Sequence, residues 1–254
     1  MTRLIVIAAT LPLTACFVTP SHDPVPLAAM TRTTVELTAS NDAALIEPGF
    51  PTAGVQVWFD TARAGSAGDP ADCPTISSDA TATFDGLAMT LDDAGGWDAP
   101  IDGTSWCHRI SFSLGSVAAR PGQVSQLVLR DSATTWTIEA KDLLTNDFKL
   151  LPAPPAGHAQ IAWTSAPAIE SGAYVQFEDT AGNLVFDGSS DGYAHGVTVA
   201  VTGNTIDVAL PPTTTGTGTL SINAGRAPQA TRCDAPAGCK LVLSAGADLP
   251  MTFP

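Results

Sequence analysis

Val197, Val199 and Val201 alternate with small or polar residues, and Ile206, Val208 and Leu210 alternate back after the dipeptide Gly203-Asn204. Strict alternation places apolar side chains on one face of an extended chain, because successive strand residues point to opposite sides. Glycine at the break supplies the positive φ that opens a type II′ turn, whose twist matches that of paired strands. The segment is therefore a hairpin with one buried face. Ile110, Phe112 and Leu114 repeat the pattern, as do Val55, Val57 and Phe59, with Trp58 on the opposite face. Residues 124–130 and 134–140 form a further hairpin around Asp131-Ser132. Beyond the first 16 residues no stretch of ten or more carries a helical period. Charged residues make up only 14% of the chain, and Gly, Pro, Thr and Ala are plentiful, as suits strands and turns.

Short strands spaced by turn residues imply an all-β chain of immunoglobulin-like β-sandwiches, with a jelly roll as the alternative. The Cys–Trp–Cys spacing of true immunoglobulin domains is absent, so the likeness is architectural. The chain also echoes itself. Val35–Ser40, Ile46-Glu47-Pro48-Gly49 and Val55–Ala62 are followed in the same order by Gln160–Ser165, Ile169-Glu170-Ser171-Gly172 and Val175–Ala181. Phe84-Asp85-Gly86 returns as Phe186-Asp187-Gly188. Leu127-Val128-Leu129 with Trp136-Thr137-Ile138 returns as Leu241-Val242-Leu243 with Met251-Thr252-Phe253. Ordered echoes suggest duplication, with tandem sandwiches over 31–149 and 156–254 joined by a stiff Pro-rich linker at 150–155. Each half is long enough to bury its own core.

At the start, Met-Thr-Arg precedes an uncharged apolar run from Leu4 to Leu13. The run is too short for a spanning helix, which needs roughly 20 apolar residues. A charged start, a short apolar middle and small residues at the end read as a signal peptide. Leu13-Thr14-Ala15-Cys16 fills all four places of the lipobox and so resembles the signal region of bacterial lipoproteins. That resemblance implies cleavage after residue 15 and lipidation of Cys16, with several acyl chains making a durable membrane anchor. Phe17 stands where enterobacterial members carry Asp for inner-membrane retention, which implies the outer membrane. Residues 16–30, with Pro20, Pro24 and Pro26, read as an extended tether. Fourteen residues beyond Cys16 would hold a domain roughly 40 Å from the lipid.

Lys and Arg number 11 against 25 Asp and Glu, for a net charge of −14. Phosphates would repel such a chain, which argues against nucleic acid as a partner. Four cysteines follow Cys16, an even number that suits an oxidising compartment. Three pairings exist. Cys73 with Cys107 and Cys233 with Cys239 keeps each bridge inside one expected domain and closes loops worth roughly 4 and roughly 2.5 kcal/mol. A zinc site would need paired C-x-x-C spacing, which is absent.

Candidate chemistry is sparse. Cys107-His108 would place thiol and base on opposite faces of a strand. His22, His158 and His195 have no metal-ligand spacing, and no Gly-x-Ser-x-Gly elbow occurs. Asp187-Gly-Ser-Ser-Asp191-Gly192 resembles the start of a calcium loop, yet Ser189 and Thr198 stand at its third and twelfth positions. Asp92, Asp93, Asp98 and Asp102 form a second acidic stretch around Trp97, able to collect calcium or, through Trp97, to stack on a sugar. The expectation is a lipid-anchored envelope protein with a non-enzymatic binding or structural role, no cofactor, and an envelope protein or glycan as partner. The alternatives are a calcium-assisted glycan-binding module and an envelope hydrolase whose site is assembled from distant residues.

Overall fold

The computed structural model describes residues 24–41, 54–60, 73–98, 106–115, 117, 122–143, 145–165, 168–170 and 172–253. Among them no α-helix occurs, and the one helical turn is 3-10, Leu27–Ala29. The first strands are β1 (Thr34–Asn41), β2 (Gly54–Asp60), β3 (Thr81–Phe84), β4 (Leu87–Ala88), β5 (Thr90–Asp93), β6 (Gly96–Asp98) and β7 (Trp106–His108). Then come β8 (Ser111–Leu114), β9 (Val124–Arg130), β10 (Thr135–Lys141), β11 (Phe148–Leu150), β12 (His158–Trp163) and β13 (Ala173–Asp179). The last are β14 (Leu184–Ser189), β15 (Ala194–His195), β16 (Thr198–Thr202), β17 (Thr205–Ala209), β18 (Gly216–Arg226), β19 (Ala230–Cys233) and β20 (Cys239–Phe253).

A nine-stranded sheet runs β15-β14-β13-β18-β20-β1-β2-β8-β5. A five-stranded sheet, β19-β10-β9-β3-β4, packs on its β20–β5 end, where Phe59 meets Trp136 at 6.3 Å between ring centroids. A four-stranded sheet, β11-β12-β17-β16, packs on the other end, with β16 against β13 and β14. The layers there approach closely: a Cβ on Gly188 would stand 2.8 Å from Val197 Cγ2. β6 and β7 form a separate pair, and none of these sheets closes into a barrel. The fold is an all-β sandwich, and the buried apolar residues of both halves form one connected core.

Alternation explains the layering. Val35, Leu37 and Ala39 of β1 and Val55, Val57 and Phe59 of β2 are fully buried, while the residues between them face outward. The hairpin 198–209 forms as its sequence requires, Thr202 opposite Thr205 and Gly203 at φ 59°. The β9–β10 hairpin also forms, Arg130 opposite Thr135. Both disulfides join the cysteines paired above, Cys73 with Cys107 and Cys233 with Cys239.

Strand pairing cuts across the expected division into 31–149 and 156–254. β20 first pairs in parallel with β1, Cys239 to Ala245, and then antiparallel with β18, Leu243 to Phe253. Leu243, Ser244 and Ala245 are paired on both sides. β19 pairs with β10 in the five-stranded sheet, so residues 230–245 complete the first sandwich. The Cys233–Cys239 bridge ties one layer of that sandwich to the other. Physically, fifteen residues of strand extend about 50 Å, more than one small sheet can use. Residues 150–155 likewise do not join the halves; they connect β11 to β12, which pair with each other. The crossing lies at 142–147, where buried Arg226 donates from Nη2 to the Asp142 carbonyl and covers the Trp163 ring at 5.4 Å.

The echoed segments occupy different places. Leu127–Leu129 and Trp136–Ile138 lie on two strands, whereas both of their echoes lie on β20. Phe84-Asp85-Gly86 enters the β3–β4 turn, with Asp85 at φ 49° and Gly86 at φ 82°, whereas Phe186-Asp187-Gly188 lies inside β14. β1 pairs with β2, whereas β12 and β13 sit in opposite layers. Ile46-Glu47-Pro48-Gly49 lies outside the described residues.

The expected tether is shortened. Val25 N donates to Thr75 O at 2.8 Å, and Ser77 N returns to Val25 O at 3.3 Å. Leu27 and Met30 are buried in the core. Leu27 N donates to Asp131 Oδ2 at 2.6 Å, and Asp131 Oδ1 accepts from Ala133 N at 2.9 Å and Thr134 N at 2.6 Å. Buried Asp131 thus closes its own turn and fastens the N-terminal segment. Asp131→Ala is expected to lower the unfolding free energy by about 3 kcal/mol at pH 7, since three N–H donors lose a charged acceptor. Denaturant titration measures this, and a loss below about 0.5 kcal/mol, the scatter of ordinary surface changes, would refute that role.

Candidate site on the outer face of the nine-stranded sheet

The alternation that buries one face of the long sheet leaves the other to solvent. Register sets Tyr174 of β13 between Ser189 of β14 and Asn223 of β18, and Gly225 of β18 opposite Ser244 of β20. These residues, with Gly172, Ala173 and Asp191, line a cavity of about 270 Å³. Gly172 has φ 86°, and a Cβ there would press within 3.1 Å of the Asp191 carboxylate, so glycine keeps this wall open. A second cavity of about 110 Å³ lies on the same face, between Thr38, Ser40, Gln56 and Ser113. The two adjoin through Ser40 and Ser244, which pair directly. Gly54 floors the second: its Cβ would stand 2.5 Å from the Leu114 carbonyl oxygen.

Beside the larger cavity the chain's two tyrosines converge on one carboxylate. Tyr174 Oη donates to Asp187 Oδ2 at 2.9 Å, and His195 Nδ1 donates to Oδ1 at 2.9 Å. The Tyr193 hydroxyl donates to the same group. Asp187 is buried, whereas Tyr193 and His195 are exposed. Burial works to raise the Asp187 carboxyl, but the bonds from Tyr174, Tyr193 and His195 outweigh it and hold the group below its ordinary 3.8. Burial first, and then the accepting Asp187 carboxylate, pushes the Tyr174 hydroxyl up to about 12. Asp187 is therefore ionised and Tyr174 protonated across the neutral range. Tyr174, Tyr193 and His195 thus form one hydrogen-bonded cluster on the Asp187 carboxylate.

Asp92 and Asp93 of the acidic stretch have separate partners. Asp92 accepts from Ser113 Oγ at 2.9 Å. Asp93 accepts from Gly95 N at 2.8 Å and from His108 Nδ1 at 2.9 Å. Asp98 ends β6, and Asp102 lies outside the described residues, as do Cys16 and His22. Asp187 accepts from Tyr174, Tyr193 and His195, and Asp191 lines the cavity. Among the described residues, no three His, Cys, Asp or Glu side chains stand together as a metal cage. Trp97 faces Cys107 across the β6–β7 pair, and its Nε1 is buried, as suits a plug rather than an open stacking face. His108 and His158 each give Nδ1 to an aspartate, Asp93 and Asp207.

Tyr174, Tyr193, Asn223 and Ser244 carry no signal in the sequence as site residues. Tyr174, Asn223 and Ser244 come together through register across β13, β18 and β20, and Tyr193 reaches Asp187 from the β14–β15 connection. Comparison with protein-family models and with curated proteins finds no match to the chain.

Asp131, Asp147 and Asp187 all lie below their ordinary 3.8, because donors outweigh the opposing effect of burial. Groups with depressed folded values stabilise fully above about pH 4 and lose that contribution as pH falls through the folded values. Unfolding free energy is expected to be level from pH 7 to about 4.5 and to fall steeply below about pH 4. Asp187→Asn should flatten the acid limb, as read by urea titration at each pH. An unchanged slope in that variant would contradict the assignment.

Proposed function

We propose that this is a lipid-anchored protein of the cell envelope that binds a partner through the outer face of its nine-stranded sheet and performs no chemistry of its own. The observation that carries the binding role is the open polar cavity of about 270 Å³ beside the Asp187 scaffold. Asp187 is held below its ordinary value and Tyr174 is pushed up to about 12, both away from neutrality, which suits recognition better than acid–base catalysis. The anchoring role rests on Leu13-Thr14-Ala15-Cys16. No helix among the described residues is long and apolar enough to cross a membrane. The described fold already includes Val25, bridged to Ile76, nine residues after Cys16. Phe17 favours the outer membrane. The net charge of −14 argues against nucleic acid and against anionic headgroups as the partner.

Cys16→Ser is expected to abolish incorporation of labelled fatty acid, and persistent labelling would sink the anchor. For the binding role, oxidative footprinting compares intact envelopes with the purified protein. Protection is expected at Tyr193, with Leu87 and Val124 of the five-stranded layer unchanged. Equal oxidation of Tyr193 in both samples would contradict a role for this face.

A further inference from the structure

We infer that β16 is a strand-addition edge through which two copies of this chain pair antiparallel about Ala200. This goes beyond the outer-face reading and does not depend on it. A strand at the end of a sheet presents a row of N–H and C=O groups that another chain can pair with, so proteins guard such edges by charge, brevity or a bulge. Six strands end the three larger sheets of this fold. β4 and β15 have two residues each. β11 has three, with Lys149 at its centre. β5 carries Asp92 and Asp93 and a register shift against β8. β19 carries Arg232, and its pairing with β10 is interrupted by a register shift. β16, Thr198-Val199-Ala200-Val201-Thr202, has no charge and no proline, and it pairs with β17 over its whole length without interruption. Among the described end strands it alone lacks every one of these guards.

Register decides which of its backbone groups are free. Gly203 and Asn204 form a two-residue turn, which makes Thr202 and Thr205 a hydrogen-bonded pair. Such pairs alternate along an antiparallel ladder, so Thr198, Ala200 and Thr202 direct their N–H and C=O to β17. Val199 and Val201 direct theirs to the other side, where no described residue bonds to them. The sequence selects the occupant. Thr-Val-Ala-Val-Thr reads the same in both directions, so a second copy laid antiparallel sets Ala200 against Ala200, Thr198 against Thr202 and Val199 against Val201. In that register the free N–H and C=O groups of Val199 and Val201 all find partners about a twofold axis. Threonine pairs and pairs of β-branched residues are favourable cross-strand neighbours. No like charges meet, although the chain as a whole carries −14. Thr198, Ala200 and Thr202 are exposed, so their side chains would meet on the outer surface of the four-stranded layer. One short strand pair makes an interface of the weak, transient class, and the proposed lipid anchor would favour it by holding copies on one membrane.

The test is disulfide trapping and sedimentation of the full chain in detergent. In the dimer Ala200 faces its own copy in a non-hydrogen-bonded pair, with Cα atoms about 4.5 Å apart, within reach of a disulfide. Ala200→Cys is expected to give a crosslinked dimer under mild oxidation, with the substituted peptide joined to itself by mass spectrometry. Thr198→Cys alone should not crosslink, because its two copies lie about 13 Å apart along the strands, beyond disulfide reach. Mixed with Thr202→Cys it should. In sedimentation the unaltered chain should form reversible, concentration-dependent dimers. Ala200→Lys and Ala200→Asp should each weaken the dimer at least about tenfold, since like charges meet at the axis, with the melting temperature unchanged. An equal mixture of these two variants should restore association. No trapping of Ala200→Cys, or a monomer at every concentration, would overturn the proposal. So would self-crosslinking of Thr198→Cys as fast as that of Ala200→Cys, or dimers indifferent to both charge variants. In intact envelopes, Ala200→Cys joined to a different polypeptide rather than to its own kind would overturn it as well.

Discussion

The double pairing of β20 is the constraint on which the rest of the fold depends. Its first residues extend the sheet of one sandwich in parallel with β1, and its last extend the sheet of the other, antiparallel to β18. Where Leu243, Ser244 and Ala245 pair on both sides, two sheets become one. The outer face is then continuous from β15 to β5, and the two cavities on it adjoin at the Ser40–Ser244 pair. A chain divided cleanly at residue 156 would have two separate outer faces. The Cys233–Cys239 bridge and the pairing of β19 with β10 fix the entry to β20, so its register is set from the start.

A chain with 25 acidic and 11 basic residues must place its carboxylates without many cations to meet them. The structure meets them with N–H and O–H donors instead. Asp131 takes three backbone N–H groups. Asp147 takes Thr164 and both the N–H and hydroxyl of Ser165 at the crossing between sandwiches. Asp187 takes two tyrosines and a histidine. Hydrogen bonds to an ionised acceptor are stronger than neutral ones; Asp131 ties Leu27 to a turn 104 residues away, and Asp147 and Asp187 tie neighbouring strands and their connections. The acidity of the chain is thereby used as internal fastening, and one instance, Asp187, holds the two tyrosines beside the candidate site.

The hairpins at 198–209 and 124–141 were legible because alternation and turn chemistry are local. Both disulfides were legible from loop economy. β20 was not, since its ends, Leu241-Val242-Leu243 and Met251-Thr252-Phe253, echo two separate strands and Pro250 lies between them. Proline survives there because past Ala245 the strand has a ladder partner on one side only. The tether was read too long because Pro24 and Pro26 exclude a helix but not a bridge, and Val25 makes one with Ile76. The candidate site was legible only in fragments. Asp187, Asp191 and His195 stand out as chemical residues, yet what joins them to Tyr174, Asn223 and Ser244 is cross-strand register, to which a single residue of slip is fatal. The acidic stretch 92–102 drew notice by composition, whereas its described acids are engaged separately by Ser113, Gly95 and His108.

The most direct test of this architecture is pulse-labelling hydrogen exchange across a urea series with both disulfides intact. Peptides from β2 and β13 belong to different sandwiches and are linked through β20. The shared strand predicts that both lose protection at one urea midpoint, together with β20 itself. Two separate midpoints, with β20 following only one of them, would contradict a single sheet and with it the continuous outer face.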